Sequence, residues 1–139
     1  GPKTDSTADA LAEFARKLDV SLELPGPVYR ADALSSAYEW CDCVVSPGKV
    51  GLLAVDAIGH GRPVVTVGSW EGQMPEVEAL IDGVTAALWD GADAESLAAV
   101  IEMACVMGRS VQTIQACGDV AAEFYSVDFH KAAFDEATT

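Results

Sequence analysis

The chain has 139 residues, half of them apolar, and a formal net charge of −14. A single domain with a packed core is therefore expected, and general disorder is disfavoured. The excess of acidic residues argues against nucleic-acid binding, because phosphate backbones require a basic surface. An anionic ligand would gain nothing from this overall charge, so its site must depend on local dipoles and a few well-placed cations.

Cysteine and histidine usage predicts no metal site. The four cysteines form no C-x-x-C pair, the two histidines lack a ligand spacing, and the thiols are expected to be buried and reduced. No signal peptide or apolar run of membrane-spanning length is visible, which predicts a cytoplasmic protein. Peripheral membrane association through a separate acceptor domain stays open. Gly1-Pro2 fits either native sequence or a protease-cleavage scar.

The first forty residues predict two helices with a short strand between them. Apolar residues recur at helical spacing over 6–18, and the alternation over 20–24 before a proline–glycine turn is typical of a strand. A second helix is predicted from Asp32. Its aromatic residues, Tyr38 and Trp40, are expected to pack against a sheet.

The middle of the chain predicts a strand–helix–strand unit. Residues 43–45 are short, apolar and β-branched, which is typical of a buried strand, and Pro47-Gly48 ends it. A helix is predicted over 52–59, closed by Gly61. Residues 64–67 form the second buried strand.

The second half predicts a loop over 68–74 that contains Trp70, a short helix over 76–81 opened by Pro75, and a last strand over 85–89. Three further helices are predicted: from Asp93 to a break at Gly108, from about Ser110 to Tyr125, and from Val127 to Ala137.

Strands and helices alternate without hairpin signals. This pattern predicts an α/β fold with a parallel sheet and helices on both faces. Ligands bind beyond the carboxyl ends of the strands in such sheets. The loops at 25–30, 46–50 and 68–75 are therefore expected to lie at one binding edge.

The loop after the first buried strand is the main candidate site. Gly48 and Gly51 allow a ligand to approach the backbone, and Lys49 supplies a mobile positive charge beside Val50. The following helix is expected to leave free N–H groups that favour an anion. An ordinary turn between a strand and a helix is the alternative interpretation.

Two further positions complete the predicted site. Asp56, on the same helix, could accept hydrogen bonds from a ribose diol or could be a solvated surface residue. Gly72, Gln73 and Glu76 open a second helix whose N–H groups could meet a diphosphate or a sugar. Glu76 could instead only satisfy the helix dipole.

Three other basic residues need an interpretation. Arg30 and Arg62 are cations expected near the cleft, although Arg62 could simply pair with a surface acid. His60 is predicted to be structural, because a cation is favourable at a helix C-terminus.

Several short runs of this region fit one known pattern. Gly51-Leu52 matches a glycine–leucine pair, Gly61-x-Pro63-Val64-Val65 matches an A-x-G-x-P-V-V run, and Gly72 with Pro75-Glu76 matches a later glycine and proline–glutamate. Together they resemble the donor-binding half of GT-B type retaining glycosyltransferases of family 4, over nearly the whole chain. The resemblance implies two Rossmann-like domains facing a cleft. The C-terminal one binds a nucleoside-diphosphate sugar as donor substrate, without a further cofactor, and the N-terminal one binds the acceptor.

Carried over by position, the resemblance gives several residues a role. Asp56 replaces a glutamate that contacts the ribose, and Gly48 stands where a glutamate contacts sugar hydroxyls. Val28 and Tyr29 fall in the loop that contacts the base. The family's first strand, whose loop and lysine grip the diphosphate, has no counterpart. Residues 1–139 are therefore expected to be an incomplete Rossmann-like domain, as a fragment, half of a split enzyme or a rearranged assembly.

The leading hypothesis is the donor-binding part of a hexosyltransferase-like enzyme, with little activity in the absence of its acceptor domain. The alternative is a non-catalytic partner subunit of a split glycosyltransferase. Homo-oligomers formed through exposed sheet edges are also open. A sugar-nucleotide epimerase is disfavoured, because the region of Gly48 offers no carboxylate or histidine around the sugar.

Overall fold

The computed structural model describes residues 6–69 and 71–137. Trp70, in the loop predicted over 68–74, lies outside the described residues. The Cα positions cluster into two units, residues 1–34 and residues 35–139.

The first unit holds helix α1 (Ser6–Lys17) and the start of α2 (Ala31–Trp40), with a segment lacking regular structure between them. The remaining elements lie in the second unit: β1 (Val44–Val45), α3 (Leu53–Gly59), β2 (Val64–Val67), a 3₁₀ helix (Pro75–Ala79), β3 (Ala86–Trp89), α4 (Ala94–Gly108), α5 (Val111–Tyr125) and α6 (Val127–Ala137).

The three strands pair side by side in the order β1-β2-β3, and both pairs are parallel. Val44 lies opposite Val64, and Val65 lies opposite Ala87. Each strand therefore ends at the same edge of the sheet, and the chain returns through a helix each time. The expected α/β fold with a parallel sheet is confirmed.

Helices cover both faces of this sheet. Val65 and Ala87 pack against Ala104 of α4, and all three residues are fully buried. Successive strand residues point to opposite faces, so Val64 and Thr66 face the other way. Both are also fully buried, on the side where α3 packs against β2. The predicted helices on both faces are confirmed.

Two glycines allow close approach at the amino end of the sheet. A Cβ atom on Gly108, the last residue of α4, would overlap the backbone carbonyl of Asp42. Gly61, after α3, has a φ of +72° and lies where a Cβ would come within 2.9 Å of Ile114 Cγ2. The helix breaks predicted at these glycines are confirmed, and their close contacts explain the residue type.

Three expectations are corrected. Residues 20–24 form no strand, because no neighbouring strand offers hydrogen bonds, and Val20, Leu22 and Leu24 are exposed. Tyr38 is buried as expected, but Trp40 is 86% exposed. The predicted helix at 76–81 is a single 3₁₀ turn that begins at Pro75.

No single helix within residues 6–69 and 71–137 is long and apolar enough to cross a membrane. α4 and the helical run after it meet that criterion only as a pair bent by 88°.

Candidate functional site

The candidate site lies where β1 and β2 end. Residues 46–52 connect β1 to α3, and residues 68–74 connect β2 to the 3₁₀ helix. Parallel neighbours end at the same edge, so these two loops, called here loop A and loop B, are adjacent. Such an edge is the usual ligand position in open α/β sheets.

The side chain of Gln73 joins the two loops. Its Nε2 donates to Gly48 O at 3.1 Å, and its Oε1 accepts from the Val50 N–H at 3.2 Å. The Nε2 also lies 3.3 Å from Val67 O, at the end of β2. One amide from loop B therefore satisfies both a donor and an acceptor of loop A, which sets the distance between the loops.

Thr66, in β2, also forms hydrogen bonds at this junction. Its fully buried hydroxyl donates to Gly48 O at 3.0 Å and lies 3.4 Å from Gln73 Nε2. Thr66 was not among the site residues predicted from the sequence. A threonine among the valines of β2 is the signal that could have found it, because a buried hydroxyl requires a hydrogen-bond partner.

The side chain of Lys49, in loop A, comes close to loop B. Its side chain is exposed, and its Cε lies 3.9 Å from the position that a Cβ on Gly72 would occupy. Gly72 has a φ of +75°, which glycine adopts without strain. The junction thus places one mobile ammonium group beside two loops of accessible backbone.

The predicted backbone donors are only partly available. The Val50 N–H is taken by Gln73, because α3 begins at Leu53 and Val50 belongs to the turn before it. Within the described chain, the N–H groups of Gly51, Leu52 and Leu53 donate no hydrogen bond. α3 has seven residues and the 3₁₀ helix five, so neither provides the strong macrodipole that was expected.

Comparison with known proteins decides the family. The family described as "Glycosyl transferases group 1" matches residues 1–105, three quarters of the chain. The chain belongs to this family. No curated protein and no solved structure gave a match. The matched region of this group 1 glycosyltransferase ends within α4, so it contains the sheet and both loops of the junction.

Glu76 lies in the first turn of the 3₁₀ helix. It does not cap that helix, and its half-buried carboxylate has one buried oxygen, Oε2, without a hydrogen bond among the described residues. The charge of Glu76 is felt at Tyr125 of α5, whose pKa is raised by burial first and then by the charges of Glu78 and Glu76. An acceptor is therefore left unused beside loop B in this glycosyltransferase.

Asp56 is exposed on α3. No contact within the described residues joins it to the junction of loops A and B. Its charge is felt at Tyr38, whose pKa is raised mainly by burial and secondly by Asp56. The ribose contact expected for Asp56 stays a prediction.

Val28 and Tyr29 belong to the first unit, in the segment without regular structure. Tyr29 is 92% exposed, and both residues line a pocket of about 340 Å³ with Pro27, Arg30 and Ala33. The base contact expected for Val28 and Tyr29 stays a prediction.

The other basic side chains have structural partners. Arg30 forms an exposed ion pair with Asp32. Arg62 does not pair with a surface acid but donates to Glu39 O and Gly108 O, both at 3.2 Å, and so caps the C-terminal turns of α2 and α4. His60 stacks on Tyr38 at 4.5 Å and is structural, as expected.

Residues that could ligate a metal do not cluster in the described chain, where no group of three His, Cys, Asp or Glu side chains converges.

Proposed function

We propose that the second unit is the donor-binding part of a retaining family 4 glycosyltransferase, from the C-terminal domain of a GT-B pair. The diphosphate of a nucleoside-diphosphate sugar would bind at the junction of loops A and B. The observation that carries this proposal is the double hydrogen bond of Gln73 to Gly48 and Val50, which holds two accessible loops together at the ligand edge of the sheet.

The chemistry of transfer requires such a site. The bond between the anomeric carbon and the diphosphate oxygen breaks, and negative charge accumulates on the leaving diphosphate. Groups already oriented toward that charge stabilise the transition state more than the ground state. Lys49 and the N–H groups of Gly51, Leu52 and Leu53, which have no acceptor within residues 6–69 and 71–137, have the correct sign for this task.

The rest of the surface makes these local groups important. With a net charge of −14, the molecule as a whole repels a dianionic ligand. Arg62 and Arg109 are engaged, one at helix ends and the other with Asp42, so Lys49 is the basic side chain at the junction in the described part of the chain. We expect weak nucleotide binding by this chain and little transfer without an acceptor domain.

Replacement of Lys49 tests the proposed diphosphate contact. Lys49→Ala should weaken the binding of UDP roughly tenfold, since a charge-assisted contact is worth about 1.5 kcal/mol. The binding of uridine, which lacks phosphates, should change little. Isothermal titration calorimetry on the whole chain measures both affinities.

A matched control is Lys131→Ala, which removes an exposed lysine of α6 at another place on the same unit. An equal loss for UDP and uridine, or an equal loss in both variants, would contradict the role of Lys49. Because the base is not specified by loops A and B, a thermal-shift panel of UDP-, GDP- and ADP-sugars should precede the titration and select the nucleotide.

A further inference from the structure

Two cysteines meet between the sheet and α4. Cys43 directly precedes β1, Cys105 lies in the last turns of α4, and their Sγ atoms are 3.8 Å apart although 62 residues separate them. Both side chains are half-buried. At this distance the sulfurs are in van der Waals contact, and a disulfide would require them to approach to about 2.05 Å.

Contacts between the neighbouring residues fix the positions of the two cysteines. Gly108 lies against the Asp42 carbonyl, and Arg109 Nε donates to the Asp42 carboxylate at 3.0 Å. These contacts attach the C-terminal turn of α4 to the residue that precedes Cys43. Buried apolar residues of β2 and α4 support the same region from below. The pair is thus placed by the fold and is not an accidental approach of two mobile loops.

We infer that Cys43 and Cys105 form a modification site, a dithiol that low-molecular-weight disulfides such as glutathione disulfide convert reversibly into an intramolecular disulfide. This inference does not depend on the proposed donor binding. Transient disulfides of this kind are compatible with a reducing compartment, where permanent ones are rare.

The reaction proceeds by two exchanges. One protein thiol loses its proton to solvent and attacks the small disulfide, whose S–S bond breaks and releases one small thiol. The second protein thiol then loses its proton, attacks the mixed disulfide and releases the other small thiol. Two protein S–H bonds become one S–S bond, and the two electrons reduce the small disulfide to two thiols.

The environment of the pair affects the two exchanges differently. Burial, followed by the hydrogen bond with Cys105, raises the pKa of Cys43. Since the thiolate is the nucleophile, we expect the first exchange, with a dilute external disulfide, to be slow. The second exchange should be fast, because the sulfur of the other cysteine is already in contact.

Peptide mapping tests the inference on the intact chain. The protein is equilibrated with excess glutathione disulfide, alkylated, and digested with trypsin and an endoprotease that cleaves before aspartate. This double digestion isolates each cysteine on its own peptide: 32–41, 42–49, 93–109 and 110–118. We expect peptide 42–49 to be cross-linked to peptide 93–109, with the loss of two hydrogen atoms and reversal by dithiothreitol.

Single variants separate the two exchanges. Cys43→Ser and Cys105→Ser should each stop at a mixed disulfide, with one glutathione on the remaining cysteine of the pair. Cys117→Ser, which changes the fully buried thiol of α5, is the matched control and should keep the cross-link. The oxidised wild type should also melt at a higher temperature, because the new bond restricts the unfolded chain.

The wild-type map stands even if a variant fails to fold. A cross-link that includes Cys41 or Cys117, a stable glutathione adduct on the wild-type pair, or four free thiols at equilibrium would each overturn the inference.

Discussion

At the amino end of the sheet, backbone packs on backbone: Gly108 of α4 touches Asp42, and Arg62 joins the ends of α2 and α4. At the carboxyl end, loops A and B meet mainly through the amide of Gln73. A Cβ on Gly108 would overlap the Asp42 carbonyl, whereas a Cβ on Gly48 would meet nothing within 4 Å. The same residue type thus serves close packing at Gly108 and open access at Gly48.

This difference assigns separate tasks to the two ends. Tightly packed contacts transmit any change in volume into lost stability. An open loop with few contacts tolerates change in the fold but alters what a ligand meets. Substitutions at the amino end should therefore act on the free energy of unfolding, and substitutions at the carboxyl end should act on binding.

Gly108→Ala should have the largest effect. Its Cβ would overlap the Asp42 carbonyl, so α4 must move away from the start of β1, at a cost of about 3 kcal/mol or more. Gly48→Ala at the other end should change the free energy of unfolding by less than about 0.5 kcal/mol. Urea denaturation followed by circular dichroism measures both.

A helical glycine controls for the change of residue type. Gly118 lies within α5, and a Cβ there would contact nothing within 4 Å. Gly118→Ala should be neutral or stabilise by about 0.5 to 1 kcal/mol, since alanine is the better helix former. Similar losses in the free energy of unfolding for Gly108→Ala and Gly118→Ala would contradict a requirement for glycine at the close contact of Gly108.

Two buried threonines allow the same comparison of the two ends of the sheet, with smaller expected losses in the free energy of unfolding. Thr85, before β3, donates to Ala79 O and accepts from the Ile81 N–H, both at 2.8 Å. Thr66, near the end of β2, donates to Gly48 O, which also accepts from Gln73. Both hydroxyls are fully buried, and valine has nearly the same shape.

Thr85→Val should cost about 2 to 3 kcal/mol, because the buried Ala79 carbonyl and the part-buried Ile81 N–H both lose their partner. Thr66→Val should cost about 1 kcal/mol, because Gly48 O keeps the Gln73 hydrogen bond. Hydrogen exchange should rise in loops A and B for Thr66→Val only. Equal unfolding free energies for the two variants would mean that the carboxyl end is as tightly held as the amino end.

Local patterns were sufficient for the class of fold and the position of the junction. The short valine runs form β1 and β2, and each is followed by glycine and a helix. A helix between two neighbouring strands is the connection that parallel strands require. Because parallel strands end together, the approach of residues 48–51 to residues 72–76 followed from topology alone. The hydrogen bonds of Gln73 confirm that approach.

Partners distant along the chain were not predictable in this way. The Val50 N–H was expected to be free, but its acceptor lies 23 residues later, on a side chain whose direction no periodicity reveals. Gly108 was identified as a helix break, yet its contact with Asp42 depends on how α4 lies on the sheet. Residues 20–24 have a strand pattern, and a strand forms only where another strand provides hydrogen bonds.

The smallest expected effect concerns the start of α4, after β3 has ended at the carboxyl edge. The Asp93 carboxylate accepts from the Ser96 N–H at 2.8 Å, and this bond, followed by the Ser96 hydroxyl, holds the pKa of Asp93 below its ordinary value of 3.8. A lowered folded-state pKa means that stabilisation is complete above the unfolded-state pKa and disappears as the pH falls through the folded-state pKa. Asparagine also caps helices well, but without the charge. Asp93→Asn should therefore melt slightly below the wild type at neutral pH. The difference in melting temperature should vanish in acid, below about pH 4. Asp128→Asn is the control, because it removes one exposed charge in the first turn of α6. A difference between wild type and Asp93→Asn that grows as the pH falls would contradict the cap, and would mean that this end of α4 is held by packing in the same way as its other end.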